Sequence, residues 1–196
     1  MARSTSRGSR QQQLLSGVLD ALHQTPDLHG VFEIAFPILT QIVPADQGAL
    51  CVSNPALAGG YDWATLGFSV DWFSAYPDMA PHDFVRRAVA GRPNLVLSDA
   101  EMVARADLEV NMMYRRSIEV GMPIEQVMSV MLAGDSDWHA GINLYRGRRR
   151  PFSERERAAL QQLAPLFARA VRKCKVLADV SRRGTLLESI LAHQGF

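Results

Sequence analysis

The tightest constraint on this chain lies at residues 151–156, Pro-Phe-Ser-Glu-Arg-Glu. Ser153 followed three residues later by Glu156 is a capping box, in which hydroxyl and carboxylate satisfy the N–H groups left open at a helix start. Phe152 stands before the cap, where a hydrophobic staple belongs, and Glu154 and Glu156 place negative charge in the first turn. A long helix must follow. Leu160, Leu163, Phe167, Ala170, Cys174, Leu177 and Ser181 recur along it at alternating spacings of three and four. That heptad seam predicts pairing with a second helix, and so a dimer interface on Leu160, Leu163, Phe167, Ala170, Cys174 and Leu177. Pro165 predicts a kink. Gly184 predicts an interruption, with Leu186, Leu187, Ile190 and Leu191 opening a further helical stripe over residues 179–196.

Upstream of the box the period changes. Ile124–Leu132 and Trp138–Tyr145 alternate about Ala133–Asp137 (AGDSD), which predicts a β-hairpin, and Arg146–Arg150 then forms a basic turn. Gly48–Ser53 and Tyr61–Phe68 read as two earlier strands, separated by the turn residues Asn54-Pro55 and Gly59-Gly60. Residues 71–90 read as a helical region broken near Pro77–Pro81. Leu95–Leu97 is a brief strand, and Ser98-Asp99 caps a helix around 100–118 that Gly121-Met122-Pro123 ends. At the front, residues 1–10 are too polar to order. Residues 11–27 hold an amphipathic helix on Leu14, Leu15, Val18, Leu19 and Leu22, stopped by Thr25-Pro26-Asp27. A second helix over Leu28–Ile42 turns Val31, Phe32, Ile34, Ala35, Ile38, Leu39 and Ile42 inward, with Pro37 either kinking it or joining two shorter helices. Strands flanked by helices, with no βαβ repeats, predict an α+β domain on one antiparallel sheet with long N- and C-terminal helices.

Composition excludes several classes. At 196 residues and 47% hydrophobic, the chain can bury a core and is not disordered throughout. No apolar run reaches the ~18–20 residues of a membrane helix. The basic N-terminus lacks the apolar segment of a secretory signal, and two cysteines make no disulfide framework, so a reduced cytoplasmic setting is expected. The net charge of +1 hides an asymmetry: residues 1–139 hold 9 Lys/Arg against 16 Asp/Glu, and residues 140–196 hold 12 against 4. The basic block from Arg146 to Arg150 reads first as a solvated turn, with nucleic-acid contact as the alternative.

No phosphate loop, dinucleotide fingerprint, zinc-protease motif or nucleophile elbow is present, so no enzyme is expected. Histidines 23, 29, 82, 139 and 193 have no metal spacing. His139 reads as structural, Cys51 as an inert core thiol. What stands out is an aromatic concentration, Trp63, Phe68, Trp72, Phe73, Tyr76 and Phe84, followed by Met112, Met113, Tyr114, Met122, Met128 and Met131. Aromatics with pliable methionines suit an adaptable small-molecule pocket, expected on Trp63, Trp72, Phe73, Tyr76, Phe84, Tyr114 and Met128. A self-filled core is the alternative.

The segment Gly141–Arg172, with Pro151, Phe152, Ser153, Glu156, Leu160, Leu163, Pro165 and Leu166, resembles the end of a GAF-type sensor domain, as found ahead of the helix-turn-helix of LuxR-type regulators. Asn111-Met112-Met113-Tyr114, then Gly121 and Val127–Leu132, are similar to that family's stretch before its last hairpin. The resemblance spans about residues 28–178. It implies a profilin-like sheet with a ligand cavity on one face, and terminal helices that build a homodimer and signal to an output domain. DNA contact is then expected only through an output domain outside these residues. No ligand set for a cofactor, haem, bilin or cyclic nucleotide is evident, and the ligand stays unnamed.

Overall fold

A computed structural model describes residues 13–193, apart from residues 15, 21, 25–26, 58–59, 134–137 and 149; of 186–193 it describes the backbone only. The expected polar N-terminus and the AGDSD loop tip, beyond Ala133, lie outside those residues. An N-terminal helical segment within 13–24 precedes α1 (Leu28–Ile42), β1 (Gln47–Ser53), β2 (Tyr61–Leu66), α2 (Val70–Met79) and a single 3₁₀ turn. Then come α3 (Phe84–Ala90), β3 (Leu97–Ser98), α4 (Asp99–Met102), α5 (Arg105–Val110), α6 (Met112–Glu119), β4 (Gln126–Ala133), β5 (His139–Arg146) and α7 (Glu154–His193).

The strands form one antiparallel sheet in the order β2-β1-β5-β4-β3. The α+β expectation and the hairpin hold, with Ala133 opposite His139 and Val127 opposite Tyr145. Period-two alternation sorts the side chains cleanly. Leu50 and Val52 of β1, Met128, Val130 and Leu132 of β4, and Ile142 and Leu144 of β5 face one way. They pack under α1, α7 and the N-terminal segment, whose Val18 and Leu22 are buried. The other face carries a second apolar cluster built with α2, α3, α5 and α6.

Asp27 caps α1 by accepting the Gly30 N–H at 2.8 Å. The helix runs unbroken through Pro37 to Ile42. Its inward residues are Val31, Phe32, Ala35, Phe36 and Leu39. Ile34, expected inward, is 50% exposed, because it falls on the opposite side from the 32-35-36-39 stripe. The close approach of α1 to the sheet explains Gly48, where a Cβ would stand 2.0 Å from the Phe36 ring.

The helix expected around 100–118 is three. Ser98 and Glu101 form a capping box over α4, extended backbone at Val103 ends it, and Asn111 restarts the chain as the cap of α6. The 71–90 region breaks as expected, but at Ala80–Asp83: Pro77 is accommodated inside α2.

Helix α7 opens on the expected box. The Ser153 N–H donates to Glu156 Oε2 at 2.7 Å, and the Glu156 N–H to the Ser153 hydroxyl at 3.3 Å. It then continues for 40 residues through Pro165 and Gly184. The interruption expected at Gly184 is absent, since glycine weakens a helix without stopping it. The expected dimer seam is also corrected over most of its length. Leu160, Leu163, Phe167, Ala170 and Cys174 are buried in the protomer's own core, against the sheet and α1. Spacings of three and four are what one helix face presents to any partner, and here the partner is the sheet. Only Leu177 of that set is exposed.

Candidate functional site, an aromatic crevice on the sheet

On the face away from α7, the sheet and α2, α3 and α6 enclose a crevice of about 40 Å³. That is room for a few waters and well short of the ~300–1,000 Å³ of a drug-sized site. Its floor is the second set of alternate strand residues. Cys51 stands opposite Trp63 on β2 and opposite Gly141 on β5, and Asn143 stands opposite Ser129 on β4. Gly141 leaves room for the thiol: a Cβ would lie 2.9 Å from the Cys51 sulfur.

The polar groups of the floor bond among themselves. The Ser129 hydroxyl donates to Asn143 Oδ1 at 2.5 Å, and the Cys51 thiol donates weakly to the Gly141 carbonyl at 3.6 Å. Burial, reinforced by the charge of Asp83, pushes the Cys51 thiol up to about 12, so it remains a protonated thiol. Tyr145, 4% exposed, lies edge-on to Phe68 with ring centroids 5.5 Å apart. Its side chain makes no hydrogen bond among the described residues, and burial raises its phenol well above the ordinary value.

The roof is positioned by helix caps. Ser69 caps α2, which brings Trp72 and Tyr76, one turn apart, onto the crevice. Asp83 caps α3, its Oδ1 accepting the Arg86 N–H at 2.9 Å. Its Oδ2 accepts the Tyr76 hydroxyl at 2.9 Å, and the carboxylate is 6% exposed. Desolvation, then the charge of Asp83, raises the Tyr76 phenol. Asn111 caps α6 and places Met113 on the crevice. At the mouth, the Tyr61 hydroxyl is 2.8 Å from His139 Nε2, and the Arg86 guanidinium sits 5.2 Å over the Tyr61 ring. Desolvation first, and Arg86 second, lower the pKa of His139, which is therefore neutral at pH 7.

Of the residues expected to line a pocket, Trp63, Trp72 and Tyr76 do so. Phe73 touches the same aromatic group, 6.1 Å from Trp63, without lining the crevice. Phe84 and Tyr114 pack in the neighbouring cluster, and the Tyr114 hydroxyl is held by Glu125 at 2.9 Å and Arg105 at 3.2 Å. Met128 is corrected outright. Strand parity turns it to the α1/α7 face, and Met131 takes the crevice position. Sequence reading missed Tyr61, Asp83, Arg86, Asn143 and Tyr145, and took His139 and Cys51 as structural. Asp83 ahead of Phe84-Val85 carried a signal, as a helix cap one short break beyond the Trp72/Tyr76 pair.

No protein-family model matches the sequence, and no curated protein is significantly similar to it. Solved structures do match. The ligand-binding domain of VqsR from Pseudomonas aeruginosa superposes with a TM-score of 0.64 at 16% identity, over 86% of this chain and 96% of that one. A GAF domain of a phosphoenolpyruvate-protein phosphotransferase from Coxiella burnetii follows at 0.58 and 14%, over 89% and 96%. The fold is that of GAF-type sensor domains. CepR2 of Burkholderia cenocepacia, an N-acylhomoserine lactone dependent LuxR-family transcription factor, matches at 0.55 and 15%, over 82% and 93%. The GAF-type fold of this chain is thus shared with ligand-binding domains of LuxR-type regulators.

Among the described residues no helix is long and apolar enough to cross a membrane. The basic block is not free to grip nucleic acid as a unit. Arg146 is buried, donating to the Pro44, Arg150 and Pro151 carbonyls, pairing with Glu156 at 2.7 Å and stacking over Phe152.

Proposed function

We infer that this chain is the non-enzymatic, cytoplasmic sensing half of a regulator, and that its crevice takes a small amphiphilic molecule. One observation carries the reading: the buried Asp83 carboxylate and the Tyr145 phenol meet in an apolar crevice with hydrogen-bonding capacity to spare. Each oxygen of Asp83 has accepted one bond and retains a second lone pair. Tyr145 has made no side-chain bond. Both groups line the crevice, so Tyr145, which has no side-chain hydrogen bond among the described residues, and the free lone pairs of Asp83 can reach a molecule that enters it. An acyl amide is complementary, since its N–H suits Asp83, its carbonyl suits Tyr145 and its chain suits the aromatics. The likeness to the N-acylhomoserine lactone dependent CepR2 supports that class. Because the crevice is small, entrance of the chain needs Trp72, Met113 and Met131 to move, and the methionines have the rotational freedom to do so.

The signalling route starts at consecutive residues of β5. Tyr145 borders the crevice, and Arg146 on the other side clamps Glu156 in the first turn of α7. A ligand that shifts the end of β5 shifts the root of α7 with it. Beyond Cys174 no described residue of the helix is buried, and Val176, Leu177 and Val180 are exposed. In the sequence Leu177, Val180, Gly184, Leu187 and Leu191 keep heptad spacing, and there two copies pair.

Thermal unfolding with N-acylhomoserine lactones of graded chain length tests the reading. A bound ligand at about one hundred times its Kd adds ~2.7 kcal/mol and raises Tm. No shift with any chain length points instead to a structural domain whose aromatics fill their own cavity. Sizing the protein with Val180→Glu tests the pairing, with a monomer expected where the unsubstituted protein is a dimer.

A further inference from the structure

The crevice carries one acid and one base that do not pair. Asp83 is the cap of α3 and Arg86 lies three positions on, so both project from the same side of the helix start. Both line the crevice. No carboxylate lies within 4.0 Å of the Arg86 guanidinium among the described residues, and Asp83 is bound only by the Tyr76 hydroxyl and the Arg86 backbone N–H. The guanidinium is held away from Asp83, over the ring of Tyr61 at 5.2 Å. Tyr61 is fixed in turn by His139, whose backbone N–H donates to the Ser53 hydroxyl at 3.0 Å. The outcome is an acceptor in the roof and a cation at the mouth, both lining the same small space without pairing.

We propose that the crevice is specific for a ligand with an amide N–H and a carboxylate a few bonds apart, an N-acyl amino acid, whose N–H binds Asp83 and whose carboxylate binds Arg86. A neutral ester or lactone in that place offers the guanidinium only a carbonyl. A carboxylate gives the stronger charge-assisted pair, and the planar fork of arginine matches it with two parallel bonds. His139 is neutral at pH 7, which leaves Arg86 as the cation of the mouth and the Tyr61–His139 pair as its support. A stacked arginine with no ligand role is the plain alternative, since a cation over the face of the buried Tyr61 ring is attracted to it without any ligand.

This inference rests on the amphiphile reading above, and one pair of compounds separates the two. N-hexanoyl-homoserine lactone and N-hexanoyl-homoserine, its ring-opened acid, share chain and amide, and the acid carries a carboxylate and a free hydroxyl in place of the ring ester. Calorimetric titration of the intact protein should show the acid binding at least about tenfold more tightly. Arg86→Gln should abolish that preference, and Arg87→Gln, on the exposed side of the same helix, should retain it. The melting temperature of each variant without ligand reports that it is folded. Lactone binding as tight as the acid, or a preference indifferent to Arg86→Gln, overturns the proposal and leaves the amphiphile reading standing. Binding of neither compound by the folded protein overturns both.

Discussion

The two faces of the sheet are made from alternate residues of the same strands, yet they are packed by opposite rules. On the α1/α7 face, Leu50, Val52, Val130, Ile142 and Leu144 meet Phe32, Leu39, Leu163 and Phe167, and the strand residues there are apolar. On the crevice face, Ser129, Asn143, Cys51, Tyr61 and Tyr145 are interleaved with tryptophan and methionine. The first face is close-packed and supplies stability. The second gives up packing to keep hydrogen-bonding groups at the edge of a void. One pleated sheet thus separates a load borne by dispersion and apolar burial from a surface free to vary with chemistry.

If that division is right, truncation should cost much more on the first face. Phe167→Ala should destabilise by about 3–5 kcal/mol, whereas Met131→Ala, beside the void, should lose under about 2 kcal/mol; urea midpoints compare them. Equal losses would erase the distinction. Arg146→Met tests the corner where β5 hands over to α7. It leaves Glu156 part-buried without its partner, and a loss of about 3 kcal/mol is expected.

The glycines sharpen the contrast. Gly48→Ala drives a Cβ into the Phe36 ring on the packed face and should cost about 2–3 kcal/mol. Gly141→Ala crowds the Cys51 sulfur at 2.9 Å, with Asn143 and the Val130 carbonyl at ordinary contact distance, and should cost about 1 kcal/mol. The smallest effect is a pH dependence. The folded state holds the pKa of His139 below 6.5, so the unfolded chain binds the proton first. Stability should therefore fall as pH drops through about 6.5 and level off below the folded value. His139→Gln should remove that component of the slope in a series of melting temperatures, while the packed face contributes none of it.

Much of this architecture was legible because local signals agreed. The Ser153/Glu156 box, the alternation of Val127–Leu132 and Trp138–Tyr145 and the bounds of α1 each follow from a single physical rule. Two readings failed where one pattern serves two partners. The 3-4 spacing of Leu160 to Cys174 marks a buried helix face without saying whether a helix or a sheet buries it. Met128 lies in a strand buried on both faces, where apolar residues at 127, 128, 130, 131 and 132 show a strand without showing which face each side chain takes. The crevice was half visible. Aromatic bulk announced Trp63, Trp72 and Tyr76, but Asp83 and Arg86 look like any cap and any surface cation until the fold brings them over Cys51 and Tyr61.

Among the described residues Cys174 is the last one of α7 to be buried, while the helix runs on to His193. Each added residue advances an α-helix by 1.5 Å and rotates it by about 100°. The stretch between these points therefore works as a phase dial. Inserting one residue there would turn whatever rides on the far end to a different compass bearing, and inserting seven would nearly restore it.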